Sequence, residues 1–325
     1  MLKPILQGSA ILGLLLAAAT PTQAQSYPDK GVKIVIGVTP GGGLDVLIRG
    51  IAQQLTERWG KAVVVDNRPG ASGLIAAESV ANAAPDGYTW FAVTDQIYLS
   101  NRFAFKNLPY NPDTSFANIS LLARAEQFVL ANAEVKPNSL GELVAAERQK
   151  PGAFAYGTWG DGSPPQLLYE TLNKKTGTTF LGVPYKGVAP VLNALVANEI
   201  QLSVGSSGVA GQQLQARKLK ALAIAAKSRS ALFPDVPTTT EAGFPELQAF
   251  IWFGLAAPAG TPPALVEKIS ADVRDIMKQP AFAERFVGAL GWKMVASTPA
   301  EMDETIRSEL PIISEMIANA GVKPQ

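Results

Sequence analysis

Two glycine-rich segments contain the residue types that could bind a small anion. The first consists of Gly41, Gly42 and Gly43, and Asp45 follows it in the first turn of a helical pattern. Glycines allow the backbone to approach a ligand closely, and the first N–H groups of a helix are unpaired donors with a partial positive charge. These groups could bind a carboxylate without a lysine. A tight turn without a ligand is equally open, and Asp45 could order the loop or only complement the helix dipole.

The second segment combines hydroxyl groups, an acid and a large aromatic ring. Its residues are Thr158, Trp159, Gly160, Asp161, Gly162 and Ser163. Ser163 could cap the following helix, and Trp159 could stack on a ligand or fill the wall between two domains. Tyr185 and Lys186 follow a further predicted strand, where Lys186 could pair with an anion or remain solvated. Both segments are therefore candidate ligand-binding loops.

The residue types that the chain lacks exclude several kinds of chemistry. The sequence contains no histidine and no cysteine, so neither a Ser-His-Asp triad nor a Cys-His pair can form, and zinc lacks its usual ligands. Val46 stands where a dinucleotide fingerprint needs glycine, and no Gly-Lys-Ser/Thr P-loop is present. We predict no catalytic residue, metal or cofactor. An enzyme using Asp95 and Asp161 as acid and base is the alternative that remains.

The N-terminus has the pattern of an export signal. Lys3 is followed by an apolar run over residues 11–19 and by a small-x-small motif that ends at Ala24. This pattern predicts a signal peptide over residues 1–24 and a periplasmic location. Without Lys3, the 28 basic residues become 27 and equal the 27 acidic ones. A neutral chain has no overall field that would attract nucleic acid.

The elements that must position the two glycine-rich segments alternate between strand and helix. A β-branched run over residues 32–36 precedes the first segment, and apolar residues at steps of three and four follow it. The same order recurs around the second segment, with a strand at 154–156 and a helix at 165–175. Short connections between alternating elements predict a mostly parallel sheet covered by helices. The loops then lie at the carboxyl ends of strands, where open α/β sheets bind ligands.

The length of the chain predicts two domains. About 300 mature residues exceed one ordinary core. Apolar stripes in the tail predict helices that return to the first domain. We therefore expect a first domain formed by residues 25–125 and 249–325, and a second formed by residues 126–248. A monomer is expected, because closure requires both domains to move freely.

Several motifs resemble those of the Bug-type solute receptors of tripartite tricarboxylate transport systems. They follow the family's order across nearly the whole mature chain. They are PGGGLD at 40–45, VDNRPGA at 65–71, APDGYT at 84–89, VPYKG at 183–187, PDVPT at 234–238, WFGL at 252–255 and APAGTP at 257–262. Each motif alone has little specificity, but the ordered set is specific.

The resemblance implies an α/β, two-domain periplasmic-binding-protein fold of type II, with two crossovers and a ligand cleft between the domains. It also implies a small carboxylate-bearing organic solute and a membrane permease of the tripartite tricarboxylate transporter as partners. The pocket residues that it implies, together with the candidates above, are Gly41, Gly42, Gly43, Asp45, Thr94, Asp95, Thr158, Trp159, Gly160, Asp161, Ser163, Tyr185, Lys186 and Ser206.

Three residues depart from the family pattern and bear on the ligand. Asp95 and Asp161 replace uncharged residues, and Trp159 replaces a small one. Two added carboxylates disfavour a dianion, and an aromatic ring favours an apolar ligand body. A monocarboxylate, an aromatic carboxylate or a zwitterion is therefore expected. A ligand-sensing module for a signalling system is the alternative to a receptor for uptake.

Overall fold

The computed structural model describes residues 27–226, 228–230, 232–249, 251–321 and 324. The signal peptide predicted over residues 1–24 lies outside the described residues. The strands are β1 (Val32–Ile36), β2 (Val63–Asn67), β3 (Thr89–Thr94), β4 (Phe116–Ala125), β5 (Gln127–Asn132), β6 (Ala155–Thr158), β7 (Leu181–Pro184), β8 (Leu202–Ser206), β9 (Leu219–Ile224), β10 (Ile251–Pro258) and β11 (Trp292–Met294).

The helices follow most of the strands directly along the chain. They are α1 (Gly43–Trp59), α2 (Leu74–Ala81), α3 (Asp95–Tyr98), α4 (Asn101–Ala104), α5 (Leu140–Gln149), α6 (Pro164–Thr176), α7 (Val188–Val196), α8 (Ser207–Gln215), α9 (Pro263–Met277), α10 (Pro280–Phe286) and α11 (Pro299–Ala320). Two short 3-10 turns cover Ala71–Gly73 and Gly288–Leu290. The helices predicted from the apolar stripes of the tail are α9 and α11.

The strands form two mixed sheets. The first has the order β11-β4-β10-β3-β1-β2, and the second has the order β7-β6-β8-β5-β9. Strand β1 is parallel to β2 and β3, whereas β10 is antiparallel to β3 and β4. In the second sheet, β6 is parallel to β7 and β8, whereas β5 is antiparallel to β8 and β9.

The prediction of a mostly parallel sheet was therefore wrong. The strands that run against the others are β10 and β11 in the first sheet and β5 in the second, and β5 and β10 are the first strands after each passage of the chain between the sheets. Only Glu126 separates β4 in the first sheet from β5 in the second, and β10 returns the chain to the first sheet. The chain therefore enters the second sheet at β5 without a helical crossover, which is the connection that joins parallel neighbours. The direction of β5 is consequently free to be antiparallel to β8 and β9.

Both faces of each sheet are covered by helices, as the nearly continuous burial of the central strands indicates. In β1, Ile34 and Ile36 pack towards α1 and α9, whereas Val35 packs towards α2 and α11. The second sheet is covered by α5 and α6 on one face and by α7 and α8 on the other. We call the first sheet with its helices the first lobe, and the second sheet with α5–α8 the second lobe. The domain boundaries after residues 125 and 248 remain a prediction.

Candidate functional site

The first glycine-rich segment connects β1 to α1 at the carboxyl end of the parallel strands. Gly42 occupies the residue before α1, and Gly43 is the first residue of the helix. Within the part of the chain that the structure describes, the N–H groups of Gly42 and Gly43 have no hydrogen-bond acceptor. They are the unpaired amides of a 17-residue helix, and such amides favour an anionic acceptor.

Asp45 holds this loop in place from beneath. Its carboxylate accepts hydrogen bonds from Gly41 N at 3.0 Å, from Arg49 Nε at 3.0 Å and from Asn67 Nδ2 at 2.8 Å. Burial opposes ionisation, but the bonds from Arg49, Gly41 and Asn67 hold the pKa of Asp45 below its usual value. The arrangement matches the loop-ordering role among the two that the sequence left open, because the donors around Asp45 belong to the protein.

The second glycine-rich segment connects β6 to α6 and is held by its own side chains. Thr158 Oγ1 and Ser163 Oγ lie 2.5 Å apart, and Thr158 Oγ1 also donates to Gly160 O at 3.0 Å. Gly162 N donates to Gln166 Oε1 at 2.7 Å, and Gln166 Nε2 lies 3.4 Å from Asp161 Oδ1. The two polar ends of Gln166 therefore fix the backbone and the carboxylate of this loop.

Three hydroxyl side chains stand directly before helices without capping them. Thr94 precedes α3, Ser163 precedes α6 and Ser206 precedes α8. None of the three accepts a hydrogen bond from the helix that follows. The helix cap considered for Ser163 does not form, because its hydroxyl is hydrogen-bonded to Thr158. These hydroxyls lie at the carboxyl ends of β3, β6 and β8.

The loops of the two lobes meet across a cleft. Gln96 Nε2 donates to the Asp161 carbonyl at 2.9 Å, and Ser207 Oγ donates to the Leu290 carbonyl at 2.7 Å. A Cβ at Gly160 would overlap Ser72 Oγ, so the two backbones approach as closely as glycine permits. The structure therefore has the lobes in contact, with the second glycine-rich segment against the first lobe.

Asp95 is the first residue of α3 and is buried near Trp252 and Glu309. Burial raises the pKa of its carboxyl to about 8, and the nearby Glu309 adds to this effect, while hydrogen bonds with the backbone of Trp252 and Gln96 oppose it. Glu309 in turn accepts from Trp252 Nε1 at 2.8 Å and pairs with Arg124 at 2.6 Å. Asp95 is therefore mostly protonated at neutral pH and adds little charge to the cleft.

Trp159 and Tyr185 pack on the second lobe. Trp159 is half-buried and lines a small apolar recess with Val188 at the start of α7 and Gly205 at the end of β8. Lys186 is exposed and forms no ion pair with any described residue. Both roles that the sequence left open for Trp159, stacking on a ligand and filling the wall between the domains, remain predictions.

A larger cavity of about 370 Å³ opens elsewhere on the second lobe. Leu214, Arg217, Lys220 and Phe233 are among its lining residues. None of the residues predicted for the site lines it.

Reasoning from the sequence missed several residues near these loops. Ser72 and Ser100 come from the first lobe and face the second glycine-rich segment. Trp292 lies against Gly43 at the start of α1. Gln96 was not missed, since it belongs to the segment 94–96 that the resemblance implies as part of the pocket, whereas nothing in the local sequence marks Trp292.

Two further observations concern other classes of site. Because the sequence has no histidine and no cysteine, a metal ion would need acidic ligands. Among the described residues, no group of three or more acidic side chains is placed to hold one. No helix in the described ranges is long and apolar enough to cross a membrane.

The fold and the site define a two-lobed binding protein whose strand-end loops meet across a cleft. Residues 47–321 match the model of the tripartite tricarboxylate transporter family receptor. The chain belongs to this family, and the recognition made from its motifs is confirmed.

Relatives and solved structures match nearly the whole chain. Protein BugT of Bordetella pertussis is 30% identical over 318 residues and covers 97% of each chain. The structure of Rpa4515 from R. palustris with adipate is 30% identical with a TM-score of 0.87, covering 92% of this chain and all of that one. MatC from Rhodopseudomonas palustris with bound malate is 29% identical with a TM-score of 0.83, covering 90% and 100%. The two-lobed α/β binding-protein fold is confirmed.

Proposed function

We propose that this protein captures a small carboxylate-bearing organic solute in the cleft and delivers it to a tripartite tricarboxylate transporter permease. The observation that carries the proposal is the pair of glycine-rich loops, one from each lobe, at facing strand ends. The unpaired amides of Gly42 and Gly43 supply donors for a carboxylate without a lysine. The predicted export signal places this capture in the periplasm.

The charge of the cleft bears on the ligand class. Asp95 has a pKa raised to about 8, so one of the two carboxylates that disfavoured a dianion is mostly neutral at pH 7. The side chain of Asp161 lies beside Gln166. The related structures hold adipate and malate. We therefore propose a small organic mono- or dicarboxylate, and we keep an aromatic carboxylate or a zwitterion as competitors in the test.

The test is thermal unfolding of the mature protein against defined compounds. The panel contains adipate, L-malate, citrate, benzoate, glutamate and glycine betaine, and the protein is first unfolded and refolded to remove carried-over ligand. A ligand at 100 times its Kd stabilises the folded state by about 2.7 kcal/mol. A concentration-dependent rise in Tm for a carboxylate supports the proposal, and no rise for any compound contradicts it.

Two further measurements separate the rival functions. Recovery of the bound compound unchanged after incubation supports a receptor, whereas a product would support an enzyme that uses Asp95 and Asp161. Deletion of the gene should abolish uptake of the labelled compound. If deletion instead removed only the transcriptional response to that compound, the protein would be a sensor.

A further inference from the structure

Trp292 begins the edge strand β11, and its indole N–H is a buried donor without an acceptor. The side chain is 6% exposed. Its Nε1 atom is buried and has no hydrogen-bond partner among the described residues. Other buried tryptophans do have acceptors, since Trp90 Nε1 donates to Gly87 O at 2.6 Å and Trp252 Nε1 donates to Glu309 at 2.8 Å. A buried donor left unpaired costs about 1–3 kcal/mol, so this one requires an explanation.

The unpaired donor lies at the start of α1. A Cβ built on Gly43 would lie 2.5 Å from Cζ2 of Trp292 and 2.7 Å from Cη2. Cζ2 is bonded to the ring carbon that carries Nε1, so this edge of the indole faces the first turn of the helix. The ring centroid of Phe253 lies 4.4 Å from that of Trp292. Packing against Phe253 therefore holds the ring with Cζ2 and Cη2 against the start of α1, and Nε1 is two bonds from Cζ2.

The residues immediately before Trp292 contact the second lobe. Leu290 and Gly291, immediately before Trp292, contact Ser207 at the start of α8 in the second lobe. The indole therefore stands where the first glycine-rich loop, the second lobe and β11 meet. The unpaired N–H groups there are all donors, and the dipole of α1 favours an acceptor that carries negative charge.

We propose that the Trp292 indole N–H binds the same ligand carboxylate as the amides of Gly42 and Gly43, directly or through one bridging water. This inference rests on the proposed function and adds a binding residue to it. A neutral, oriented donor at this position complements a carboxylate without adding a positive charge to the cleft. Removal of the donor should weaken binding without weakening the fold.

The test compares Trp292→Phe with Trp90→Phe by calorimetric titration and thermal unfolding. Adipate, L-malate, benzoate and glycine betaine are the probes. Trp292→Phe keeps an aromatic ring against Phe253 and removes the donor, so we expect a tenfold to hundredfold weaker affinity, about the effect of losing one hydrogen bond to a charged group. The Tm of the ligand-free variant should fall less than that of Trp90→Phe, because both variants lose buried ring area but only Trp90→Phe loses a hydrogen bond of the fold. Trp90→Phe should have the lower Tm and an unchanged affinity.

The outcomes separate this inference from the proposed function. If wild-type protein binds a carboxylate and Trp292→Phe binds it equally well, the inference is wrong and the receptor function stands. If wild-type protein binds none of the probes, both are wrong. Should Trp292→Phe fold poorly, wild-type protein labelled with ¹⁵N decides. A downfield shift of one indole N–H resonance with ligand, assigned by paramagnetic broadening from a spin label near β11, supports the proposal, and no shift contradicts it.

Discussion

The hydrogen bond from Gln96 to the second lobe offers a direct way to perturb closure. Gln96 Nε2 donates to the Asp161 carbonyl at 2.9 Å across the cleft. Gln96→Ala removes this donor at a half-buried position on α3 and leaves the cores of both lobes unchanged. Because the bond joins two lobes, it forms only when they are in contact. Its loss should therefore destabilise the closed arrangement and leave the open one unaffected.

The expected magnitude follows from the kind of bond that is lost. A neutral hydrogen bond contributes about 0.5–1.5 kcal/mol net, and about 1 kcal/mol corresponds to roughly a fivefold change in an equilibrium constant. When the closed form is the minor species without ligand, the apparent Kd rises by the same factor, because affinity scales with the competent fraction. Gln96→Glu should weaken binding further, since a carboxylate would then face the Asp161 carbonyl.

Small-angle X-ray scattering of the ligand-free protein and calorimetric titration together measure this effect. Under conditions in which part of the wild-type protein is closed, Gln96→Ala should have a larger radius of gyration than wild-type protein. It should also bind the ligand more weakly. Gln54→Ala is the matched control, because Gln54 Nε2 donates to Glu57 at 3.1 Å within the exposed surface of α1. If Gln96→Ala has the affinity and the scattering curve of Gln54→Ala, the bond across the cleft contributes nothing to closure and the reasoning is refuted.

Three other predictions follow from contacts within and between the lobes. The folded state holds the Asp95 proton up to a pKa of about 8, whereas the unfolded chain loses it near 3.8. The free energy of unfolding should therefore fall as the pH rises from 3.8 to 8. Asp95→Asn should remove this contribution from the Tm measured between pH 5 and 9. Gly160→Ala places a Cβ against Ser72 Oγ at a φ of 138°, so it should weaken ligand binding in calorimetric titration by more than tenfold, and an unchanged affinity would show that the lobes do not meet there. Asp45→Ala removes the acceptor of Gly41 and Arg49 and should lower the free energy of unfolding in urea by about 2–3 kcal/mol, with Glu57→Ala as an exposed control on the same helix.

The sequence predicted the local elements well and the pairing of the connecting strands poorly. Strand β1 has the predicted bounds, and helix α6 extends one residue beyond the predicted 165–175 at each end, because a β-branched run and an apolar period of three and four are local signals. Strand β10 pairs with β4, whose residues lie more than 120 positions earlier in the chain. Neither strand was assigned from the sequence, because a short apolar run carries no information about a distant antiparallel partner.

The candidate site shows the same division. Both glycine-rich loops lie at strand ends, where the alternation of elements predicted them. Asp95 was expected to contribute charge to the cleft, but burial beside Glu309 keeps it mostly protonated. That outcome depends on α11, which the chain adds about 200 residues later, so no local pattern at residue 95 could reveal it. Trp292 was missed for the same reason, because its contact with Gly43 joins distant parts of the chain.

The contacts between the lobes set how much of the closure free energy the ligand must supply. Side-chain hydrogen bonds between the lobes include two neutral ones, from Gln96 to the Asp161 carbonyl and from Ser207 to the Leu290 carbonyl, and a charged one at the exposed surface, from Lys174 Nζ to the Ala318 carbonyl at 3.5 Å. The two neutral bonds contribute about 1–3 kcal/mol, whereas a shift from 1:99 to 99:1 requires about 5.5 kcal/mol of differential binding. These two bonds alone therefore do not supply a full switch. We expect donors that the protein leaves unpaired to add to them when a ligand binds, and in the described part of the cleft these include the first amides of α1 and the Trp292 indole. Because these donors are uncharged, affinity should depend on the carboxylate that they meet and only weakly on ionic strength.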